Sequence, residues 1–305
     1  MGMKGFKGFE KDFSCKGKQY EENTTYEEHG VGCCHKGVMH FCEDPWEVLN
    51  HYDLVDDNGN FSEFAEVEAL GQVWNDGEKR ATNKIHIGAK LGLKGFLKAC
   101  IDFTLEKTKY ESNGTNLSGD YAQIGSSGNS AKIGSSGNYA KIGSSGNSAQ
   151  IGSSGNSAQI GSSGNSAKIG SSGYSAKIGS SGYSAQIGSS GDSAQIGSSG
   201  NYAQIGSSGD FAQIGSSGYS AQIGSSGDFA QINSTGEDAV IMCAGSRSKA
   251  KGKKGSWITL AEWVKDEEKG RYVPICVKTE RVDGEKIKED TYYTLKNGEF
   301  SEVEE

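Results

Sequence analysis

A nine-residue unit repeats fourteen times without an insertion, from Asp120-Tyr-Ala-Gln-Ile-Gly-Ser-Ser-Gly128 to Ile241. Ile recurs at 124, 133, 142 and every ninth residue onward, and Ala stands two residues before each. A fixed short period with one large apolar residue per unit is the sequence signature of a β-solenoid. Ala and Ile, two apart, share one face of a strand, and their neighbours point outward. Gly-Ser-Ser-Gly supplies the turn, because Gly accepts a positive φ. Nine residues can hardly enclose a core, so two units make one coil and successive units fall on opposite sheets. Fourteen units then give seven coils, about 34 Å long at a strand spacing of about 4.8 Å. With so little apolar surface per unit, backbone bonds between coils and stacked Ser and Gln ladders must supply much of the stability.

The fold expected is therefore mainly β: a nonapeptide-repeat solenoid over 111–244, an α+β N-terminal capping domain over 1–110 and a C-terminal β-meander over 245–305. Within the first, Asp44-Pro45-Trp46-Glu47 has the residues of a helix start and predicts a helix to Tyr52. Phe64–Leu70 and Lys84–Gly88 alternate as strands. Leu93, Phe96, Leu97, Cys100, Ile101, Thr104 and Leu105 form one helical stripe, expected to cap the end of the solenoid. Ser112–Gly119 reads as a polar entry segment, an imperfect first turn. In the tail, Trp257–Trp263 and Val273–Val282 read as strands, and Asp283-Gly284 and Asn297-Gly298 as hairpin turns around Tyr292–Leu295.

The chain carries a formal charge of −8, which argues against nucleic acid as a partner. No window approaches 18 apolar residues and residues 1–10 lack the apolar core of an export signal, so no membrane partner is expected. Seven Cys at irregular spacing then read as reduced thiols in a cytoplasm.

Candidate chemistry is sparse, and no cofactor or catalytic set is implied. Cys33-Cys34-His35 with His40-Phe-Cys42 has the atoms for zinc, but its spacing fits no pair of ligand pairs, and a core strand with buried thiols is the simpler reading. Asp56–Asn60 resembles the start of a calcium loop without its sixth-position Gly. The repeats resemble calcium-binding nonapeptides, but Asp stands in the turn in four units alone (120, 192, 210, 228). No nucleophile elbow or phosphate loop is present. The basic run Arg247, Lys249, Lys251, Lys253, Lys254 reads as a solvated loop or, more sharply, as a contact for a small anionic ligand.

The exposed aromatics are the other candidate. Tyr121, Tyr139, Tyr202, Phe211 and Phe229 share one repeat position, and Tyr174, Tyr183 and Tyr219 the one before it. With two units per coil, Tyr121, Tyr139, Phe211 and Phe229 fall on one side as a stripe suited to an interface, or to plain cross-strand stacking.

Lys4-Gly-Phe-Lys-Gly-Phe9, Tyr20-Glu21, Tyr26-Glu27, Gly37-Val-Met-His-Phe-Cys42 and the helix after Pro45 resemble a domain of unknown function common in phage and prophage accessory proteins. The family's Gly-Phe-His-Phe-Cys reads Gly37-Val-Met-His-Phe-Cys42 here, and Phe64–Glu68, Ile85–Phe96 and the tail Gly255–Trp263 also fit. The resemblance implies a virus-encoded protein of the bacterial cytoplasm and transfers no catalytic residue. The resulting expectation is a non-enzymatic, homo-oligomeric binding protein whose flat faces engage a host protein or itself and interfere with host defence. Sequestration of a signalling ligand where cap and solenoid meet, or a structural spacer or fibre component, are the alternatives.

Overall fold

A computed structural model describes residues 2–33, 36–56, 60–107, 115–117 and 119–303. The chain is mainly β, with a solenoid of about eight turns over residues 123–260. Each strand pairs in parallel with the one 18 residues later and in register: Gln123 opposes Lys141, Ile124 opposes Ile142, Ser126 opposes Ser144. Two repeats per coil therefore hold, and successive repeats build two opposed sheets.

The solenoid runs past the recognisable repeats at both ends. Strand β10 (Thr115–Leu117) pairs with Ile133–Ser135, as an imperfect first turn should. Strand β11 (Gln123–Ser126) follows, then one strand every nine residues to β24 (Val240–Cys243) and β25 (Lys249–Lys251). The middle of the basic run is thus a strand and not a loop, while Arg247, Lys253 and Lys254 lie in the turns on either side. Ala250 takes the Ile position in β25 and Lys249 the Gln position, opposite Gln231. Strand β26 (Trp257–Asp266) continues the other sheet from β24 and folds back as β27 (Arg271–Arg281). Strands β28 (Tyr293–Lys296) and β29 (Glu299–Glu302) extend the sheet of β25. Asn297 and Gly298 turn between them with φ of 52° and 72°, as their pairing predicts. Asp283-Gly284 makes a loop instead: the Asp283 carboxylate accepts from the amides of Glu285 and Ile287. So the tail is two hairpins, one on each sheet.

Ile and Ala point inward and are buried along both sheets. The corners depart from expectation in a way that explains the sequence. The left-handed residue is the one before Ala, from Tyr121 (φ 59°) and Ser130 (59°) through Phe229 (57°). The corner Gly serves another need. A Cβ on Gly146 would lie 2.0 Å from the carbonyl oxygen of Gly128 in the coil below, so stacking itself demands the missing side chain. Between them stands Asn or Asp in most units, whose Oδ1 accepts from the corner amide one coil on: Asn129 from Asn147, Asn138 from Asn156, Asp210 from Asp228. The Asp residues of the repeat thus splice coils together. The inward Ser hydroxyls at 144, 162 and 180 make no hydrogen bond, so that part of the expected Ser ladder is packing alone.

The N-terminal domain is an antiparallel sheet with two helices. Its strands are β1 (Met3–Phe9), β4 (Thr24–Glu27), β5 (Met39–Cys42), β6 (Glu63–Ala69), β7 (Val73–Asp76), β8 (Lys79–Thr82) and β9 (Lys84–Lys90), in the order β4-β9-β6-β1-β5-β8-β7. A small hairpin, β2 (Ser14–Cys15) and β3 (Lys18–Gln19), follows β1. Helix α1 (Pro45–Val48) starts as predicted, with Asp44 accepting from the Trp46 amide, but ends sooner. Helix α2 (Gly92–Lys107) buries the predicted stripe from Leu93 to Thr104 and leaves Leu105 half-buried.

That stripe does not cap the solenoid's end. It lies along the outer flank of one sheet, because the outward Gly in each strand lets a helix come close. A Cβ on Gly143 would sit 3.2 Å from Ile101 Cα, one on Gly161 2.9 Å from Trp46 Cη2, and one on Gly179 2.4 Å from Leu97. Farther along, Gly197 meets Leu54, Phe61 and Leu93, and Gly215 meets Phe61 and Val55. Among the described residues, no strand of the N-terminal domain pairs with the edge strands β10 or β11.

Candidate interaction face

The two sheets are built from the same unit and have different fates. On the sheet of β11, the outward residues are Gln123, Lys141, Gln159, Lys177 and Gln195, and four of them grip the N-terminal domain. Lys141 Nζ meets the Asp44 carboxylate at 2.7 Å and that of Glu47 at 3.5 Å. The Gln159 amide donates to Asn50 Oδ1. Lys177 donates to the Leu49 carbonyl and pairs with Asp53 at 3.0 Å. Gln195 Oε1 accepts from the Leu54 amide. Burial pushes the Glu47 carboxyl up even with Lys141 beside it. At Asp53 burial pushes up too, but a hydrogen bond from Gln195 and the Lys177 charge outweigh it and hold the carboxyl low.

On the sheet of β10 the outward series reads Lys132, Gln150, Lys168, Gln186, Gln204, Gln222. The first four repeat the Lys-Gln-Lys-Gln order of 141, 159, 177 and 195, displaced by nine residues. Here they are exposed, and Lys132 and Lys168 make no ion pair among the described residues. The Gly column between them is open: a Cβ on Gly152, Gly170, Gly188, Gly206 or Gly224 would meet nothing within 4 Å. A shallow groove of about 1160 Å³ runs along this column to Val240 and Met242, each 52% exposed. Ile151 and Ile187 show 4% of their surface in its floor, whereas Ile160 and Ile178 under the N-terminal domain show none. The groove is apolar along its floor and amphipathic at its banks.

The aromatics lie at the corners and not on the faces. Tyr121 and Tyr139 stack with centroids 5.0 Å apart, as do Phe211 and Phe229 at 4.9 Å. All four do share one side, but Ser157, Ser175 and Ser193 separate the pairs, so the expected continuous stripe is two patches. Tyr202 belongs to the opposite corner, where it packs tilted against Tyr183 and edge-on against Tyr219.

The basic run is largely engaged within the chain. The Arg247 guanidinium lies over Phe229 and Tyr272. Lys249 and Lys251 cover the ring of Tyr292, and Lys251 is buried. Lys253 pairs with Asp290 and Glu289, and its bond to Asp290 raises its pKa. Lys254 is exposed. The five cations therefore do not converge on one anion site.

Of the metal candidates, Cys34 and His35 lie outside the described residues, as do 57–59 of the calcium-like loop. The Asp56 carboxylate there accepts from the Asn60 amide at 2.7 Å, a polar turn. Cys33 Sγ donates to the Asn75 carbonyl and His40 Nε2 lies 2.7 Å from the Cys33 carbonyl oxygen. Cys42 is buried, its thiol pushed up to about 12 by burial. Among the described residues no three His, Cys, Asp or Glu side chains gather into a metal site, and no helix is long and apolar enough to cross a membrane.

Sequence reading missed both the open Gly column and its twin, although the Lys positions at 132 and 168 against 141 and 177 contained the signal. Residues 3–99 match a family described as a domain of unknown function, DUF7666. No curated protein and no solved structure matches the chain.

Proposed function

We propose that this protein is a non-enzymatic binding scaffold whose bare sheet receives an amphipathic helix of a protein partner, flanked by acidic residues. One observation carries the reading: the same repeat unit builds both faces, and the face across the coil already holds a helix in its Gly column and, beside it, acidic residues around α1 on its Lys positions, all from the chain's own N-terminal domain. There, apolar side chains of α2 enter the Gly column while Asp44 and Asp53 meet Lys141 and Lys177. Lys132 and Lys168 stand at the matching positions of the bare face, with the same Gly column between them. The N-terminal resemblance to phage accessory proteins supports a partner in a bacterial host, in whose cytoplasm the scaffold would interfere with a host process. Engagement of the basic run within the chain leaves ligand sequestration there without a supporting observation.

The test places a photo-crosslinking residue at Gln186 of the full chain in its own cell, identifies the crosslinked segment and titrates that segment against purified protein. An acidic-flanked amphipathic helix is expected. Its binding should be lost in Gly170→Leu/Gly188→Leu and weakened in Lys132→Glu/Lys168→Glu, while Tyr139→Ser/Phe211→Ser/Phe229→Ser binds as before. Loss in the aromatic variant alone would move the interface to the corners and overturn the proposal. Crosslinks to a second copy alone, with a dimer in light scattering, would replace the heterologous partner by self-association.

A further inference from the structure

The N-terminal domain contains a cluster that the binding reading does not use. Lys7 lies on β1 with its side chain turned into the domain, and the residue is 5% exposed. Its Nζ donates to Cys15 Sγ at 3.3 Å and to the His40 carbonyl at 3.1 Å. The rings of Phe9 and Tyr20 stand 5.4 and 5.5 Å from it. Tyr52, just after α1, donates its hydroxyl to the same sulfur at 2.7 Å. Cys15 is held on the β2–β3 hairpin, whose turn residues Lys16 and Gly17 have φ of 51° and 77°. It lines a cavity of about 850 Å³ with Lys7, Tyr20, His40, His51 and Tyr52.

We infer that Cys15 is a nucleophilic site for a small anionic electrophile. The sulfur receives two donors, an ammonium and a hydroxyl, which is the arrangement that stabilises a sulfur anion. Cys33 offers the contrast within the same domain: its sulfur donates to the Asn75 carbonyl, which favours the protonated thiol. Burial pulls the Lys7 pKa down, and an anion beside it offsets that pull. Tyr52 keeps its proton, because burial and the bond to sulfur push its pKa up. The preference for an anionic electrophile follows from the cavity's charge. Lys7, Lys16, Lys18, Lys36 and Lys79 line it against Glu28 and Asp76, and the exposed Lys16 and Lys36 stand at its mouth.

In the step, the thiol proton first leaves to solvent. A sulfur lone pair forms the S–C bond, and the leaving group departs with the electron pair of the bond that breaks. Lys7 and Tyr52 donate hydrogen bonds to the sulfur and transfer no proton to it, so both act by holding charge.

Iodoacetate and iodoacetamide at neutral pH test this on the full-length protein, with peptide mass spectrometry reading each Cys; iodide leaves and a thioether forms. Cys15 should react about tenfold or more faster than Cys33, because two donors hold negative charge on its sulfur whereas the Cys33 sulfur itself donates. The ratio of iodoacetate to iodoacetamide rates should be higher at Cys15 than at Cys33. Lys7→Met should slow Cys15 about tenfold and erase that excess. Tyr52→Phe, which removes one hydroxyl and keeps the ring, should slow it severalfold and serves if Lys7→Met does not fold. Cys15 reacting no faster than Cys33, or at an unchanged rate in Tyr52→Phe, would overturn the inference. Either result leaves the open sheet face untouched, because the cluster lies on the N-terminal domain alone.

Discussion

Two identical repeat units should respond to the same substitution with opposite signs. Residues 150–156 and 159–165 both read Gln-Ile-Gly-Ser-Ser-Gly-Asn, so local propensity cannot distinguish Gly152 from Gly161. Their surroundings do. A Cβ on Gly161 would lie 2.9 Å from Trp46 Cη2 and 3.6 Å from Ile101 Cγ1. Carbon atoms pack best at about 3.5–4.0 Å, so the first contact overlaps by more than half an ångström. Trp46 is 1% exposed and its indole N–H is fixed on Thr104 Oγ1 at 2.8 Å, so the ring cannot swing away. Gly161→Ala should therefore lose about 1–3 kcal/mol, the usual range for overpacking. A Cβ on Gly152 meets nothing, and replacing a strand Gly there removes unfolded-chain entropy worth about 0.5–1 kcal/mol. Urea unfolding followed by circular dichroism should put the two midpoints on opposite sides of the parent, a spread of about 1.5–4 kcal/mol from those two ranges. Hydrogen exchange at the Trp46 indole supplies a local readout and should quicken in Gly161→Ala alone. Equal midpoints for the two variants would mean that the N-terminal domain does not press on one sheet, and the asymmetry of the faces would fall with it.

Two further outcomes follow from the corners and from His40. Gly146→Ala should lose about 3 kcal/mol or more, at the upper end of overpacking, because its Cβ meets the Gly128 carbonyl at 2.0 Å and both backbones are held in a register neither can leave; a thermal scan showing a neutral effect would refute the stacking account. Burial pushes the His40 pKa below its ordinary 6.5, against the pull of the Cys33 carbonyl. The unfolded chain then binds more protons between the two values, so stability is complete above about pH 6.5 and declines as pH falls through the folded value. Melting temperatures from pH 7 to 5 should fall less steeply in His40→Gln than in the parent; equal slopes would exclude His40 as a source of acid sensitivity.

Much of the solenoid was legible because its period is a geometric instruction. Ala and Ile two apart name the inward face, and nine residues are too few for a coil, so strand register and the pairing of alternate units follow. Asn297-Gly298 and Asp44-Pro45 were legible because each acts on its own few residues. The role of the corner Gly was not, since the clash that requires it is with a residue 18 positions earlier. Nor was the left-handed residue, because Ser, Tyr and Phe are poor markers of that conformation. The position of α2 was misread for a related reason. Its stripe declared that it must be buried, and an outward Gly column reads like any flexible Gly until a helix is laid on it. The Lys7, Cys15 and Tyr52 cluster joins three elements spread over 45 residues, and no local spacing announces it.

The twofold character of the repeat itself argues for the bare face as the working surface. A strand of alternating inward and outward residues needs something outward, and Gly is the poorest choice for a solvated strand on entropic grounds. Beneath the N-terminal domain the choice has a reason, since any larger residue would hold α2 off the sheet. On the bare side the same Gly recurs at 134, 152, 170, 188, 206 and 224 without one substitution by Thr or Val, either of which would suit a strand better. At Asn233 the covered sheet breaks its own column, beyond the reach of α2, and at Met242 the bare sheet breaks in the next unit. Each column therefore stays Gly for a similar length and gives way at the same end. Replication of one unit accounts for the starting identity of the two columns. The observed geometry adds that the N-terminal domain covers one column and that, among the described residues, the other is open from Gly152 to Gly224.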